Sequence, residues 1–231
     1  MNQHKTAAVL ACAGSGHRMR GSCEDKLLLN LAGLPVVVRS LLAYENSSSI
    51  DMIVVATKKE SLDLYRSFKV KYGFKKEYIV VEGGSTRMES VLKGVKAVPT
   101  DYAFVAIGDG ARPLIRREEI DATVRAAMCK GAAALGCHIS DTVKKVINGT
   151  IITTVPREEL VSIQTPQVFS RAEYCKLAAE AAGLDMEFTD DASIFEHFGE
   201  KVAFVEGRRD NIKITVPEDI ALLTAILEEQ E

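Results

Sequence analysis

Residues Ala7 to Ala13 form an unbroken apolar run without a charge, the pattern of a strand buried on both faces of a parallel sheet. From Gly33 onwards the pattern alternates. Pro35 opens a helical periodicity through Leu41 and Leu42, and Met52 to Ala56 is an apolar, β-branched run that reads as a second buried strand. A helix carrying Leu62, Tyr65 and Phe68 follows, then a strand from Tyr78 to Val81 and the pair Gly83-Gly84. Met88, Val91, Leu92 and Val95 recur at helical spacing before a fourth strand, Tyr102 to Ile107. Strands alternating with helices predict an α/β, Rossmann-like, doubly wound and mostly parallel sheet. In such sheets ligands sit beyond the carboxyl ends of the strands. The turns after the first, third and fourth strands carry Gly14-Ser15-Gly16, Gly83-Gly84 and Gly108-Asp109-Gly110, which predicts one shared site there.

The alternation breaks after Cys137. Thr142 to Val146 and Thr150 to Val155 are two β-rich runs joined by Asn148-Gly149, the pair best suited to a tight hairpin turn. An isolated hairpin is marginal in water, so this arm, residues 138–157, either packs on a second subunit or folds back on its own domain. Beyond it lie Gln164-Thr165-Pro166-Gln167 and an amphipathic helix from Arg171 to Ala182. Thr189 is an expected N-cap, with Asp190 and Asp191 in the first turn of the helix it opens. A strand from Val202 to Val205 leads to Gly207 and on to Lys213. Thr215, Pro217 and Glu218 read as a capping box for a last helix whose buried stripe is Ile220, Leu223, Ile226 and Leu227. No repeat or linker divides the chain, so residues 1–231 read as one domain with an appended hairpin.

Composition narrows the partners. With 29 Lys and Arg against 32 Asp and Glu, the formal charge is -3, whereas a general nucleic-acid binder carries a basic excess. The cations that matter are therefore local, and the partners are small anions. The five cysteines form no Cys-x-x-Cys pair, and free thiols suit a reducing cytoplasm. Lys5 followed by the apolar run imitates a secretory signal, but cleavage there would remove the strand that carries the glycine turn. No run is long enough to cross a membrane. His4, His17, His138 and His197 lack metal-ligand spacing, and no nucleophile elbow or zinc-protease helix occurs.

The strongest chemical signal is the turn after the first strand. Gly14 and Gly16 clear side chains away from backbone N–H groups, which can then form an anion-binding concavity, and Arg18 and Lys26 add positive charge beside it. Glycine pairs also end ordinary strands, so the spacing alone is weak. The ATPase phosphate loop fails for want of Gly-Lys-Ser/Thr, and the dinucleotide fingerprint fails because Met19 stands at its third glycine. What remains is a place to hold a polyphosphate.

Seven segments then point one way in the same order: Ala13 to Met19 with Lys26, Gly83 to Val91, Asp109 to Pro113, Asp141 to Lys144, Gln164 to Phe169, Thr189 to Ser193, and Glu206 to Thr215. Over nearly the whole chain this pattern resembles the 2-C-methyl-D-erythritol 4-phosphate cytidylyltransferases of non-mevalonate isoprenoid biosynthesis. The resemblance implies that the phosphate of methylerythritol phosphate attacks the α-phosphorus of CTP and releases pyrophosphate. It implies that Arg18 and Lys26 lie along the triphosphate, while Arg157 and Lys213 hold the incoming phosphate. It places Ala13, Gly14, Ser15, Gly16, Gly84, Ser85, Ser90 and Gly110 around the nucleotide, and Thr142, Thr165 and Thr189 beside the alcohol. A magnesium ion (Mg2+) is expected, with Asp109 as its protein carboxylate, although an Asx turn would also explain that aspartate. The family is a homodimer whose hairpins cross, which assigns Thr142, Arg157 and Thr165 to the partner's pocket. Asp25, Leu27, Ser85, Gly108 and Gly110 depart from the residues common at those places. The competing readings are a cytidylyltransferase for another polyol phosphate such as ribitol 5-phosphate, a non-catalytic nucleotide-binding module, and an oxidoreductase.

Overall fold

The computed structural model describes residues 4–14 and 25–229. In chain order the strands are β1 (Lys5–Ala11), β2 (Asn30–Leu31), β3 (Leu34–Pro35), β4 (Met52–Thr57), β5 (Glu77–Glu82), β6 (Tyr102–Asp109), β7 (Ala132–His138), β8 (Val143–Ile147), β9 (Thr150–Val155), β10 (Val161–Ser170) and β11 (Ala203–Glu206). The helices are α1 (Val36–Asn46), α2 (Leu62–Lys71), α3 (Arg87–Lys96), α4 (Arg117–Lys130), α5 (Arg171–Ala181), α6 (Asp191–His197) and α7 (Glu218–Glu228). The main sheet runs β11-β7-β10-β6-β1-β4-β5. Every neighbouring pair is parallel except those made by β10, which is antiparallel to both β6 and β7.

The apolar runs end up where two-sided burial puts them. All six residues of β4 and the central five of β1 are buried. Because successive side chains point to opposite faces, Ala8 and Leu10 join the core beneath α1 and α4, whereas Ala7 and Val9 join the core beneath α3 and α5. Register aligns the strand ends: Ala11 lies level with both Ala56 and Asp109, and Ala56 with Val81. The turns after β1, β5 and β6 therefore open at one edge. Among the described residues no helix is long and apolar enough to cross a membrane.

Several sequence expectations shift. The stretch Gln164 to Phe169 is part of β10, an internal strand, although Pro166 argues against one. Its ladder to β7 changes register between Ile163 and Gln167, where Pro166 lacks an N–H to donate, and the Thr165–Pro166 peptide is cis. Asp190, not Thr189, caps α6: its carboxylate accepts from the Ser193 N–H at 3.0 Å, because the helix starts one residue later than expected. The expected Thr215–Glu218 capping box is also absent. Pro217 stands at the start of α7 without a side-chain cap, and it is the Asp219 carboxylate that receives the Thr215 and Val216 N–H groups.

The hairpin forms from β8 and β9, one residue later than expected at its start. Asn148 (φ 49°) and Gly149 (φ 78°) supply the two positive φ values of a two-residue turn. Val146, Ile147, Ile151 and Ile152 are each about half exposed or more, so the arm does not bury itself on its own sheet.

Helix α3 sits close to β1 because Gly94 has no side chain; a Cβ there would meet Val9 Cγ1 at 2.5 Å. Gly94→Val should lower the unfolding free energy in urea by roughly 3 kcal/mol, the scale of overpacking a dense core.

Candidate active site

At the carboxyl edge of the sheet lies a cleft of about 400 Å³ whose lining includes Ala13, Gly14, Lys26, Gly84, Ser85, Arg87, Ser90, Asp109 and Lys213. Two turns build one wall. The Cys12 N–H donates to the Ala56 carbonyl and the Gly83 N–H to the Thr57 carbonyl, both at 2.8 Å, so the chain stays tethered to the sheet past each strand end. The turns then press together. A Cβ on Gly83 would meet the Ala13 Cβ at 2.5 Å, and one on Gly84 would meet Glu89 at 2.3 Å. Ser90 Oγ accepts from the Gly84 N–H at 2.9 Å and donates to the Thr86 carbonyl at 2.8 Å. The Glu89 carboxylate accepts from the Ser85 N–H and hydroxyl, both at 2.7 Å. Helix α3 thus holds the backbone of 83–86 in one arrangement along the cleft wall.

The floor is electrostatic. Asp109 ends β6 and is only 7% exposed. Its Oδ2 lies 2.9 Å from Lys213 Nζ and 3.5 Å from Arg112 Nε, and its Oδ1 lies 3.5 Å from Arg87 Nη2. Burial alone would raise this carboxyl, but the charges of Arg87, Lys213 and Arg112 outweigh it and hold the group down at about 2. Arg87 has a second carboxylate, Asp191, at 2.6 Å, and Asp191 also accepts from the Tyr174 hydroxyl at 2.7 Å. Lys26 Nζ donates to the carbonyl of Ile214 at 2.8 Å, one residue from Lys213. Three cations therefore line the cleft with one carboxylate among the described lining residues, a surface prepared for anions.

A second hollow of about 250 Å³ opens on the other side of Asp109, sharing Arg87, Asp109 and Lys213 and adding Arg112, Gln164, Thr165, Gln167, Thr189 and Asp190. Strand β10 supplies three of these. The Thr165 hydroxyl accepts from the Asp109 N–H at 3.1 Å. Gln167 donates to Asp190 and accepts from the Ala192 N–H, both at 2.8 Å, which joins β10 to α6. The geometry offers one hollow walled by glycine turns and one walled by hydroxyls and amides, meeting at Asp109 and Lys213.

Of the residues singled out from sequence, Ala13, Gly14, Lys26, Gly84, Ser85, Ser90, Asp109 and Lys213 line the first hollow, and Thr165 and Thr189 the second. Gly110 lines neither. It faces the core, where a Cβ would meet Cys12 Sγ at 2.6 Å, and its carbonyl accepts from Ser40 Oγ. Thr142 and Arg157 flank the arm, where the Arg157 guanidinium donates to the Ser140 carbonyl at 2.6 Å, and they line neither hollow of their own chain. Ser15, Gly16 and Arg18 lie outside the described residues. Sequence reasoning passed over Arg87 and Arg112, although both stand inside the quoted segments; an arginine next to a glycine turn at a strand end was the available signal.

Some departures acquire reasons. Gly108 leaves room for Tyr44, whose hydroxyl a Cβ would meet at 2.3 Å. Asp25 accepts from the Leu27 N–H at 3.1 Å and so fixes the turn that presents Lys26. Among the described residues no group of three or more His, Cys, Asp and Glu is placed to hold a metal ion.

Comparison with known proteins agrees along the whole length. The family model for 2-C-methyl-D-erythritol 4-phosphate cytidylyltransferase matches residues 6–229. A protein of that name from Clostridium novyi is 38% identical over 226 residues, covering 97% of each chain. Another, from Halalkalibacterium halodurans, is 36% identical over 225 residues, covering 97% of this chain and 98% of that protein. The crystal structure of 4-diphosphocytidyl-2C-methyl-D-erythritol synthase from Anaerococcus prevotii superimposes with a TM-score of 0.87 at 29% identity, covering 98% of this chain and all of that one. With its matched residues spanning the sheet, the glycine turns and the cationic floor, the chain belongs to the 2-C-methyl-D-erythritol 4-phosphate cytidylyltransferase family.

Proposed function

We propose that this protein transfers a cytidylyl group from CTP to the phosphate of 2-C-methyl-D-erythritol 4-phosphate, a step of isoprenoid biosynthesis. The observation that carries this reading is the meeting of two hollows at the Asp109–Lys213 pair. An oxygen of the alcohol's phosphate forms a bond to the α-phosphorus of CTP. The bond from that phosphorus to the oxygen bridging to the β-phosphate breaks, and pyrophosphate leaves. Both reactants are anions, so the chain's main task is to cancel repulsion and hold the groups in line. Lys26, with Arg18, takes the triphosphate; Lys213 takes the incoming phosphate. The backbone of Ala13, Gly14, Gly84 and Ser85 is the surface offered to the base.

A divalent cation such as Mg2+ suits this site in one respect. It keeps waters and phosphate oxygens as ligands and needs few protein groups, and Asp109 is a single, ionised carboxylate at the junction. Asp109 would hold it, and the ion would neutralise charge on the phosphates.

The arm supports a homodimer. Its half-exposed Val146, Ile147, Ile151 and Ile152 need cover, and a second copy would bring Thr142 and Arg157 to the neighbouring pocket. Thr165, which was expected to serve the partner as well, lines its own chain's hollow. The free thiols of Cys12, Cys129, Cys137 and Cys175 suit a cytoplasmic enzyme.

Incubation with CTP, Mg2+ and methylerythritol phosphate should release pyrophosphate, and ribitol 5-phosphate should not replace it; release with ribitol 5-phosphate alone would reassign the substrate. Lys213→Ala should cut kcat/KM by about 10²–10³-fold, the scale for losing one preorganised charge contact. Mixing Arg157→Ala with Lys213→Ala subunits should restore roughly a quarter of the wild-type rate, because one site in each mixed dimer regains both groups. No recovery on mixing would place both residues in one chain's site.

The Asp109 carboxyl should titrate at about 2 by carbon NMR. The stabilisation tied to its ionisation is complete above the ordinary carboxylate range and is lost as pH falls through that value. Lys213→Met should move the midpoint upward; an unmoved midpoint would show that Lys213 does not hold the ionised form.

A further inference from the structure

The Asp219 carboxylate, not the expected capping box, receives the N–H groups ahead of α7. We infer that Asp219 is a positioning residue: it fixes the 213–216 segment so that Lys213 reaches Asp109. The inference rests on the proposed role of Lys213. Asp219 sits in the first turn of α7, where an acid ordinarily serves its own helix, yet its hydrogen bonds run backwards along the chain. One oxygen, Oδ2, accepts from the Thr215 N–H at 2.7 Å, the Val216 N–H at 3.0 Å and the Thr215 hydroxyl at 3.1 Å.

Among the described residues the segment's other side-chain and backbone contacts lie upstream and in the middle, apart from the bond that the Asp219 N–H donates to the Val216 carbonyl at 3.2 Å. Arg112 Nη1 donates to the Asn211 carbonyl at 2.7 Å, before Lys213. The Ile214 N–H donates to the Ala111 carbonyl at 2.9 Å, and its side chain is wholly buried. Asp219 supplies the downstream anchor. With it, residues 214–216 cannot slide along the loop after β6, and the lysine before them keeps its 2.9 Å approach to Asp109. The same anchor steadies the Ile214 carbonyl that receives Lys26. The carboxyl is itself held below its ordinary range: burial opposes this, but the bonds from Thr215 and Val216 prevail, with Lys26 adding to them.

The test is a set of variants assayed well below their unfolding temperatures. Asp219→Ala should lower kcat/KM for the alcohol phosphate by about 10- to 100-fold, as a displacement of about an ångström at a positioning group does. Asp219→Asn, which keeps an acceptor oxygen, should recover most of the loss. In a Lys213→Ala background the same Asp219→Ala change should cost less than about threefold, since two residues acting through one contact do not add. Wild-type kinetics in Asp219→Ala, no recovery in Asp219→Asn, or a full multiplicative loss in the double variant would each overturn the inference.

Amide exchange provides a readout that does not depend on turnover. The Ile214 N–H is bonded to Ala111 rather than to Asp219, so it should lose protection in Asp219→Ala only if the whole segment is released. Protection retained at Ile214 would reduce Asp219 to a local cap. A protein that turned over no alcohol phosphate would sink the proposed function and leave the exchange result to decide the anchor. Should Asp219→Ala fail to fold, Asp219→Ser, whose hydroxyl is too short to span the gap, takes its place in both assays.

Discussion

A carboxylate that is almost out of water must be paired to stay charged, and Asp109 meets that condition with three cations drawn from three places. Arg87 begins α3, Arg112 follows β6, and Lys213 comes from the segment before α7. One buried charge therefore ties together three stretches of chain far apart in sequence. Removing it would leave three positive groups facing each other in a poorly solvated space. Removing any one cation would instead shift the remaining balance, so the site tolerates change there less abruptly. The cluster is also asymmetric in accessibility: Arg112 is largely enclosed, while Arg87 and Lys213 are about one-third exposed. All three hold the carboxylate ionised, and Arg87 and Lys213 also face the space where an anion would arrive.

The constraint spreads outward through Arg87. Its other partner, Asp191, is 1% exposed and accepts from Tyr174. Beside it, Gln167 bonds both Asp190 and the Ala192 N–H. Strand β10 and helix α6 are thus locked to the same network that holds Asp109. Asp191, Tyr174 and Gln167 can lie this deep because each has a partner, and a junction bonded in this way is rigid.

That same network marks where sequence reasoning stopped. Strands β1, β4 and β6 announce themselves as uncharged runs because both faces are buried by apolar neighbours. Strand β10 does not. Gln164, Thr165 and Gln167 are 5%, 3% and 1% exposed, yet nothing local marks them as buried, because their partners in other elements lie 23 to 56 positions away. Pro166, which cannot donate to a ladder, hides the strand further. The caps of α6 and α7 were misplaced for a related reason: Thr189 and Asp190 are both capping residues and Glu218 and Asp219 are both acids, so only geometry shows which one turns back. Glycines carried the most information, since Gly83 and Gly84 mark close approaches that no other residue could make. The roles of Lys26, Lys213 and Asp109 came with the family resemblance, while Arg87 and Arg112 carried no role until their shared partner was visible.

Phosphoryl chemistry explains why so little of this machinery resembles a conventional catalytic group. The attacking oxygen is already anionic and the leaving pyrophosphate is already a stable anion, so neither a general base nor a covalent nucleophile is required of the protein. What limits the reaction is the approach of two negative groups and the angle at which they meet. Charge handles the first, and rigid placement handles the second. Position then depends on residues that touch no substrate: glycines that let two turns close, a serine that fixes a peptide plane, a carboxylate that anchors the segment bearing a lysine. In a site of this kind the boundary between folding and catalysis is thin, because the hydrogen bonds that finish the fold are the ones that aim the charges.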